Sequence, residues 1–320
     1  MRILLWHIHG SWTTSFVHGR HEYVVPVTPD RGPDGLGRAG TYRWPDTVVE
    51  VPATELAGID VDVVLLQRSH EAALGEQLLH RRPGRDVPAV YVEHNTPPTP
   101  FSSRHPMADQ TDITIVHVTH FNRLMWDAGR APTAVIEHGI VDPGYAYTGE
   151  LPRAAVVVNE PIRRGRAVGA DLWPALTDAA PVDVFGMRVS GLAEHLGARA
   201  DRLCAYEDPG QAEMHRQLAR RRVYVHTSRW TSLGLSLLEA MHLGMPVVVL
   251  ACTEAAVAVP RAAGLLTMRP DEMAAAITRF VHEPAAARAA GAAARAHALE
   301  HYGLDRFLAD WDAVLAEVAV

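Results

Sequence analysis

The sequence predicts an α/β protein with two parallel β-sheets, each covered by helices on both faces. Three observations support this fold class. Short apolar runs alternate with helical patterns from one end of the chain to the other. The 320 residues suffice for two domains of ordinary size. A segment rich in Gly, Pro and turn-forming residues, His138–Pro152, separates two halves of similar length.

The apolar runs predict strands, and the segments with helical periodicity between them predict helices. The predicted strands are Arg2–Ile8, Glu22–Pro26, Val61–Gln67, Ala89–Glu93, Ile113–Val118, Thr133–Ile136, Ala154–Asn159, Val182–Phe185, Leu203–Tyr206, Val223–His226 and Val247–Leu250. The predicted helices are Ser69–Leu79, His120–Asp127, Gly169–Leu176, Pro209–Ala219, Leu235–Leu243, Pro270–His282, Pro284–His301 and an amphipathic segment, Tyr302–Val318.

Composition excludes several classes of protein. The net charge of −7 argues against general nucleic-acid binding. No apolar run reaches the length of a transmembrane helix, and the apolar start is too short for a signal peptide. The two cysteines, Cys204 and Cys252, indicate no disulfide framework, so we expect a reducing, cytoplasmic location. The chain has no lysine, so any basic phosphate ligand must be an arginine.

The segment Val223–Pro260 carries the most information. It predicts a strand, a polar loop with Gly234, a helix with Glu239 in its second turn, and a second buried strand after Gly244 and Pro246. Backbone N–H groups at a helix N-terminus, together with the helix dipole, favour a phosphate group. The segment therefore indicates a phosphate-bearing ligand.

Within this segment, LLEAMHLGMPVV (residues 237–248) resembles the donor-site signature of retaining, metal-independent glycosyltransferases of the GT-B fold, family 4. The resemblance implies two Rossmann-like domains that face a central cleft. It implies an N-terminal acceptor domain (1–145), a C-terminal donor domain for the nucleotide sugar (146–301), and a last helix (302–320) that crosses back to the N-terminal domain.

The resemblance also implies the donor site. Glu239 matches the glutamate that binds the ribose, and Thr231 stands where the family has a first glutamate for the sugar. The loop residues Thr231, Ser232, Leu233, Gly234 and Leu235 would face the diphosphate and the sugar. In the segment 156–172, Arg164 takes the place of a phosphate-binding lysine, with Arg163 as a second cation, and Asn159 replaces an arginine.

In the first half, the resemblance assigns Gly10 to a loop under the donor phosphates and His94, with Arg164, to catalysis. Trp12 and Thr13 are assigned to the acceptor side, although loop packing explains Trp12 equally well. No cofactor is expected beyond the donor substrate, which we expect to be UDP- or GDP-linked. The partners are then a nucleotide sugar and a small-molecule or glycan acceptor, and the oligomeric state stays open.

Metal chemistry is not expected. The triplet Asp60-Val61-Asp62 spells the DxD motif of metal-dependent glycosyltransferases, but it opens an apolar strand in the wrong half of the chain. The 18 histidines form no tight set with ligand spacing. Two alternatives to a transferase stay open: a nucleotide-sugar epimerase of the same fold, and a non-catalytic nucleotide-sugar-binding protein. The replacements at Thr231 and Asn159 support the second.

Overall fold

A computed structural model of the chain describes residues 1–38, 40–99 and 103–319. It divides into two compact units. The N-terminal unit comprises Met1–Val141 with Leu304–Val320, and the C-terminal unit comprises Asp142–Gly303. The first boundary lies within the predicted linker, and the last helix belongs to the N-terminal unit.

The strands are β1 (Arg2–Leu5), β2 (Glu22–Val27), β3 (Val48–Pro52), β4 (Val63–Leu66), β5 (Ala89–Glu93), β6 (Ile113–His117), β7 (Thr133–Val135), β8 (Leu151–Val157), β9 (Val182–Gly186), β10 (Leu203–Glu207), β11 (Arg221–His226), β12 (Val247–Leu250) and β13 (Gly264–Thr267). The helices are α1 (Gly10–Phe16), α2 (Glu71–Leu79), α3 (His120–Met125), α4 (Pro161–Arg164), α5 (Trp173–Leu176), α6 (Leu192–His195), α7 (Gln211–Arg220), α8 (Leu235–Leu243), α9 (Ala255–Ala258), α10 (Pro270–His282), α11 (Pro284–His301) and α12 (Leu304–Val318). Turns of 3-10 helix cover Ala53–Gly58, Gly165–Ala167, Ala170–Leu172 and Arg261–Ala263.

Each unit contains one parallel sheet. The N-terminal sheet has seven strands in the order β3-β2-β1-β4-β5-β6-β7, and the C-terminal sheet has six in the order β10-β9-β8-β11-β12-β13. In both, the strand order reverses beside the unit's first strand, between β1 and β4 and between β8 and β11. Ligands of such sheets bind at this switch point, beyond the carboxyl ends of the strands. The predicted α/β class with two Rossmann-like sheets is confirmed.

Some local predictions are wrong. Two strands were not predicted: β3, which is five residues long, and β13, which begins at Gly264. A Cβ at Gly264 would lie 1.9 Å from the carbonyl oxygen of Val247, so only glycine allows β13 to pair with β12 at this position. In the sequence alone, the same glycine favours a turn. The predicted helix Gly169–Leu176 is a 3-10 turn followed by the single helical turn α5.

The largest difference is α1, where the sequence predicted a loop. Its residues, GSWTTSF, have low intrinsic helix propensity, so tertiary packing must hold the helix. Trp12 stacks on Phe16 at 5.1 Å and meets Trp311 of α12 edge-on at 5.7 Å. A Cβ at Gly139 would lie 2.2 Å from the Phe307 Cβ, so α12 also packs closely against the backbone there.

The C-terminal unit buries a charged cluster at the amino ends of its strands. Asp183 is fully buried on β9, and its carboxylate accepts hydrogen bonds from Arg153 and from Arg221 Nε at 2.8 Å. The Arg221 guanidinium also lies over the rings of Phe185 and Tyr206. A buried carboxylate paired in this way is costly to lose, because removing a partner leaves an uncompensated charge. The cluster lies opposite the edge where a ligand is expected.

Among the described residues, no helix is long and apolar enough to cross a lipid bilayer. In the same part of the chain, no group of three or more His, Cys, Asp or Glu side chains is arranged to hold a metal ion. Cys204 and Cys252 are free thiols.

His117 on β6 generates a prediction about stability and pH. Its ring is fully buried without a hydrogen-bond partner among the described residues, and burial lowers its pKa to about 4. The unfolded chain protonates this histidine near pH 6.5, so between pH 6.5 and 4 unfolding takes up a proton and stability falls as the pH falls. Between pH 7 and pH 5, the unfolding free energy of wild type should therefore fall by about 2 kcal/mol more than that of His117→Leu.

Urea unfolding at both pH values measures this difference. Ile115→Val, on the same strand, is the matched control, because it removes a buried methylene and should cost about 1 kcal/mol equally at pH 7 and 5. An equal loss of stability in wild type and His117→Leu would contradict the assignment.

Candidate active site

In the C-terminal unit, two loops meet beyond the carboxyl ends of β8 and β11. The loop after β8 contains Arg164, and the loop after β11 contains Thr231. Arg229 and Trp230 donate backbone hydrogen bonds to the carbonyl of Ala167 at 2.8 and 3.1 Å. The Thr227 hydroxyl donates to the carbonyl of Val168 at 2.8 Å. The strand order therefore brings together segments that are far apart in sequence, at the switch point of the sheet.

A glycine makes this contact possible. Gly169 has a φ of +76°, and an added Cβ would lie 2.2 Å from the Thr227 carbonyl oxygen. A side chain would be both strained and in collision with backbone, so only glycine fits. The Trp173 indole N–H also supports Thr227, because it donates a hydrogen bond to the Thr227 hydroxyl at 2.9 Å.

Arg164 is half-buried, and its guanidinium has no hydrogen-bond or ion-pair partner within residues 1–38, 40–99 and 103–319. Burial, and then the nearby charge of Arg163, lower its pKa from the ordinary value. An unpaired guanidinium in this setting is poised for an anion. In the described part of the C-terminal unit, two other arginines, Arg261 and Arg288, also have no such partner, but both are exposed.

Arg163, the second predicted cation, is arranged differently. It is exposed and pairs with Glu160, which also accepts a hydrogen bond from Arg188 at 2.7 Å. These arginine side chains hold the pKa of Glu160 below its usual range. Arg163 is thus neutralised by a neighbouring carboxylate, whereas Arg164 is not.

The loop before α8 presents the predicted donor-binding residues. Ser232 and Leu233 are buried, while Thr231, Gly234 and Leu235 are partly exposed. Gly234 is the N-cap of α8 and has no side chain with which to cap the helix, while the Leu237 N–H donates to the Gly234 carbonyl at 3.0 Å. The first N–H groups of a helix have no partner within the helix and favour an anionic ligand. A Cβ at Gly234 would lie 2.7 Å from the His226 ring, which explains why this position is glycine.

Glu239 lies in α8 and is 2% exposed. Its Oε1 accepts a hydrogen bond from Gln211 Nε2 at 2.9 Å, and His215 Nε2 lies 3.4 Å from Oε2. Both partners are on α7, and neither was predicted as a site residue. Their spacing of four residues places them on one helical face, which was the available signal.

A cavity of about 540 Å³ opens beside Arg163 in the C-terminal unit. It is lined by Glu160, Ile162, Arg163, Arg188, Ser190 and Glu207. Glu207 shapes one wall: its carboxylate accepts the backbone N–H groups of residues 188–190 and the Ser190 hydroxyl. The cavity lies at the ends of β8, β9 and β10, and β10 leads within four residues to Gln211.

Asn159, which replaces a family arginine, has a structural task here. Its Oδ1 accepts a hydrogen bond from the Met187 N–H at 3.0 Å, and the Glu160 N–H donates to the Met187 carbonyl at 2.8 Å. These bonds join the chain beyond β8 to the chain beyond β9. The replacement therefore supports the loop that carries Arg164.

In the N-terminal unit, His94 follows β5 and is buried. Its Nε2 lies 3.0 Å from Gln67 Oε1, and its ring lies 4.0 Å from that of His9 and 4.9 Å from that of Trp12. Burial lowers the pKa of His94 well below its ordinary value, and that of His138 to about 3. These histidines are neutral at physiological pH. His9, His138 and Gln67 were not predicted as site residues.

Trp12 and Thr13, which were predicted on the acceptor side, are buried in α1 at 1% and 0% exposure. The acceptor-side assignment of both residues stays a prediction. Trp12 packs against Trp311 of α12. This contact agrees with the other explanation of Trp12, in which the residue serves packing. Gly10 begins α1, and an added Cβ would collide with the Tyr42 ring at 2.2 Å, so an aromatic side chain covers this glycine.

The chain is similar to known proteins in part of its sequence and in its fold. Residues 183–297 match the family described as glycosyl transferases group 1. No curated protein matches the chain. The fold is similar to that of sucrose-phosphate synthase from Thermosynechococcus elongatus, with a TM-score of 0.71 and 14% identity over 99% of this chain and 98% of that one.

Two further structures are similar over the same extent. HepE from Anabaena, solved with UDP and glucose, has a TM-score of 0.71 and 14% identity over 99% of this chain and all (100%) of that one. A glycosyltransferase from Rickettsia africae has a TM-score of 0.67 and 12% identity over 99% and 98%. At these identities the similarity establishes the GT-B fold, and the family match lies within the unit that holds Arg164 and Glu239.

Proposed function

We propose that this chain is an enzyme that transfers a sugar from a nucleoside-diphosphate sugar to an acceptor hydroxyl, because residues 183–297 match the family described as glycosyl transferases group 1. The observation that carries the proposal is Arg164, a half-buried guanidinium with no hydrogen-bond or ion-pair partner in the described chain, beyond the end of β8, where the Ser236 hydroxyl of α8 also reaches the Val157 carbonyl. A diphosphate is the anion that this pair of features fits.

The proposed donor site runs along the edge of the C-terminal sheet. Arg164 and the N–H groups at Gly234 and Leu235 bind the diphosphate, and Glu239 accepts the ribose hydroxyls. The 540 Å³ cavity beside Arg163 takes the base, since its wall at Glu207 leads directly to Gln211, the partner of Glu239. The UDP bound to HepE supports a UDP-linked donor. A GDP-linked donor is the other candidate.

We propose that transfer proceeds with retention and without a metal. Departure of the nucleoside diphosphate builds negative charge on its β-phosphate, and Arg164 with the helix N-terminus stabilises that charge. The departing phosphate then accepts the proton of the acceptor hydroxyl. His94 is the proposed catalytic residue of the N-terminal unit, and Trp12 and Thr13 stay the proposed acceptor-side residues. A cytoplasmic location fits the free thiols of Cys204 and Cys252.

One of the two supports for the non-catalytic alternative has a structural explanation. Asn159 accepts a hydrogen bond from the Met187 N–H and so holds the loop that carries Arg164. Thr231 remains as a departure from the family pattern at the sugar position. A threonine suits a donor that lacks a hydroxyl there, such as a deoxy or amino sugar, because no polar group is then left unpaired.

Arg164→Ala tests the diphosphate site. Loss of a charge-assisted hydrogen bond should weaken binding of the nucleoside diphosphate by about 1.5–3 kcal/mol. Isothermal titration calorimetry with UDP and GDP measures this, and Arg288→Ala, an exposed arginine on α11, controls for the loss of positive charge. Equal affinity of wild type and Arg164→Ala would remove Arg164 from the site.

Glu239 and Thr231 separate the ribose from the sugar. Glu239→Ala should weaken every nucleoside diphosphate, with or without a sugar, because ribose is common to all. Thr231→Ala should leave binding of the free diphosphate nearly intact and change turnover or sugar preference. If Thr231→Ala is silent with every donor that binds, and wild type transfers no sugar across a broad acceptor panel, the binding-protein alternative should be preferred.

Metal independence has its own test. Activity should survive exhaustive treatment with EDTA, because Arg164 and backbone N–H groups stabilise the negative charge of the diphosphate in this proposal. The comparison is the same preparation with added Mn²⁺ or Mg²⁺. Loss of turnover in EDTA that either cation restores would refute this part of the proposal.

A further inference from the structure

The 540 Å³ cavity at the ends of β8, β9 and β10 presents a definite set of hydrogen-bonding groups to a ligand. Its charged lining consists of two carboxylates, Glu160 and Glu207, and two guanidinium groups, Arg163 and Arg188. Ile162 adds an exposed apolar surface, against which a planar ring can pack. The balance of free donors and free acceptors in this lining decides which ligand chemistry the cavity accepts.

The carboxylate of Glu207 is occupied by the protein itself. One oxygen accepts the Arg188 backbone N–H, and the other accepts the Ser190 hydroxyl and the backbone N–H groups of Val189 and Ser190. The Ser190 hydroxyl and these backbone groups hold the pKa of Glu207 below its usual range, so the carboxylate is ionised and only accepts. Glu207 therefore builds the cavity wall and has little capacity left to accept from a ligand.

The carboxylate of Glu160 is occupied by the two arginines. Its Oε2 accepts from Arg163, and its Oε1 accepts from Arg188 Nη1 at 2.7 Å. Glu160 and Arg188 have φ values of +55° and +57°, which are uncommon for residues other than glycine and persist where the surrounding structure holds them. The Glu160 N–H donates to the Met187 carbonyl at 2.8 Å, so the backbone also keeps Glu160 next to Arg188.

Donors are left over in the same lining. A guanidinium has five N–H donors and no acceptor. Among the described residues, Arg188 uses Nη1 for its bond to Glu160, which leaves the hydrogens of Nε and Nη2 for a ligand. Arg163 donates to Glu160 through Nε and Nη2, which leaves its Nη1 hydrogens. A ligand in this cavity therefore meets N–H donors rather than free carboxylate oxygens.

The nucleobases differ in what they require of such a lining. Guanine, adenine and cytosine each carry an exocyclic amino group, which is a donor and needs an acceptor. Uracil and thymine carry carbonyl oxygens at C2 and C4 instead, and these oxygens need donors. An amino group that loses water without gaining an acceptor costs free energy. The lining is thus complementary to a pyrimidine with two carbonyl groups.

We propose that the cavity selects a base with carbonyl oxygens at C2 and C4, uracil or thymine, and that Arg188 is the specificity-determining residue because it donates a hydrogen bond to one of these oxygens. Glu160 positions the Arg188 guanidinium for that bond. The inference rests on the proposed function, which supplies the nucleoside diphosphate. It decides between the donors considered there in favour of UDP and against GDP, with thymidine diphosphate (TDP) as the second pyrimidine donor.

Binding of free nucleoside diphosphates to the wild-type protein is the first test. UDP and CDP are the matched pair, because their rings have the same size and differ at C4, where uracil has a carbonyl group and cytosine an amino group. In isothermal titration calorimetry, the Kd of UDP should be at least about 10-fold lower than that of CDP and that of GDP. TDP, measured alongside, shows which of the two bases binds more tightly. Equal affinity for UDP and CDP would overturn the inference without any variant.

Arg188→Ala tests the selecting residue. The affinity for UDP should fall by about 10-fold, while the affinities for CDP and GDP should change by less than about 2-fold, because the variant also releases one Glu160 oxygen to accept from their amino groups. Arg199→Ala is the matched control, since both arginine side chains are 78% exposed and each pairs with one carboxylate. It should change none of these affinities. An equal loss for UDP, CDP and GDP in Arg188→Ala would indicate a general effect of charge and overturn the role of Arg188.

The outcomes separate this inference from the proposed function. A wild type that prefers UDP to CDP through Arg188 but transfers no sugar from any UDP-linked or TDP-linked donor would refute the transfer and leave the base selection standing. A wild type that transfers a sugar but binds CDP as tightly as UDP would refute the base selection alone. If no nucleoside diphosphate binds to the wild-type protein, both proposals fail.

Discussion

The contact of Gly169 with the Thr227 carbonyl is the constraint on which the C-terminal site depends. It needs a residue without a side chain and with a φ of +76°, and it clamps the loop after β8 onto the loop after β11. Because those strands are neighbours at the switch point, the clamp places Arg164 and the N-terminus of α8 on one edge. Without it, the cation and the helix amides would lie on loops free to move apart, and a preorganised anion site would be lost.

Ion pairs around this edge explain how Arg164 differs from the neighbouring arginines. Asp171 binds Arg166 and Arg229, Glu160 binds Arg163 and Arg188, and Glu207 is saturated by backbone N–H groups. The carboxylates thus shape the loops and neutralise the other guanidinium groups. Arg164 keeps its charge in a half-buried setting, where an anion gains more than it would in water.

The elements that depend on local sequence patterns could be predicted from the sequence. Apolar runs located most strands, and the helix with Glu239 followed from its cap, its glycine and its proline. It could not predict α1, because GSWTTSF becomes helical only by packing Trp12 and Phe16 against α12, nearly 300 residues away. The same packing buries Trp12 and Thr13, which the local sequence could not indicate.

Other site residues were missed because their contacts join residues that are far apart in the sequence. Gln67 was predicted as the last residue of an apolar strand, although a polar residue at a strand's carboxyl end is a signal in an α/β protein. Asn159 was interpreted only as a departure from a motif, since its bond to Met187 joins residues 28 positions apart. Residues 39, 100–102 and 320 lie outside the described chain, and no predicted site residue falls on them.

The chemistry of the N-terminal edge favours transfer over epimerisation. An epimerase needs a carboxylic acid and a carboxylate free to exchange protons, yet the two buried glutamates here are engaged. Glu71 accepts hydrogen bonds from the backbone N–H and side chain of Arg68, and Glu93 from His105 and the Asn95 N–H. What the edge offers instead is the buried imidazole of His94, whose pKa burial lowers well below its ordinary value. That suffices for a reaction in which the leaving diphosphate takes the proton, because the protein then needs only to orient a hydroxyl and stabilise an anion.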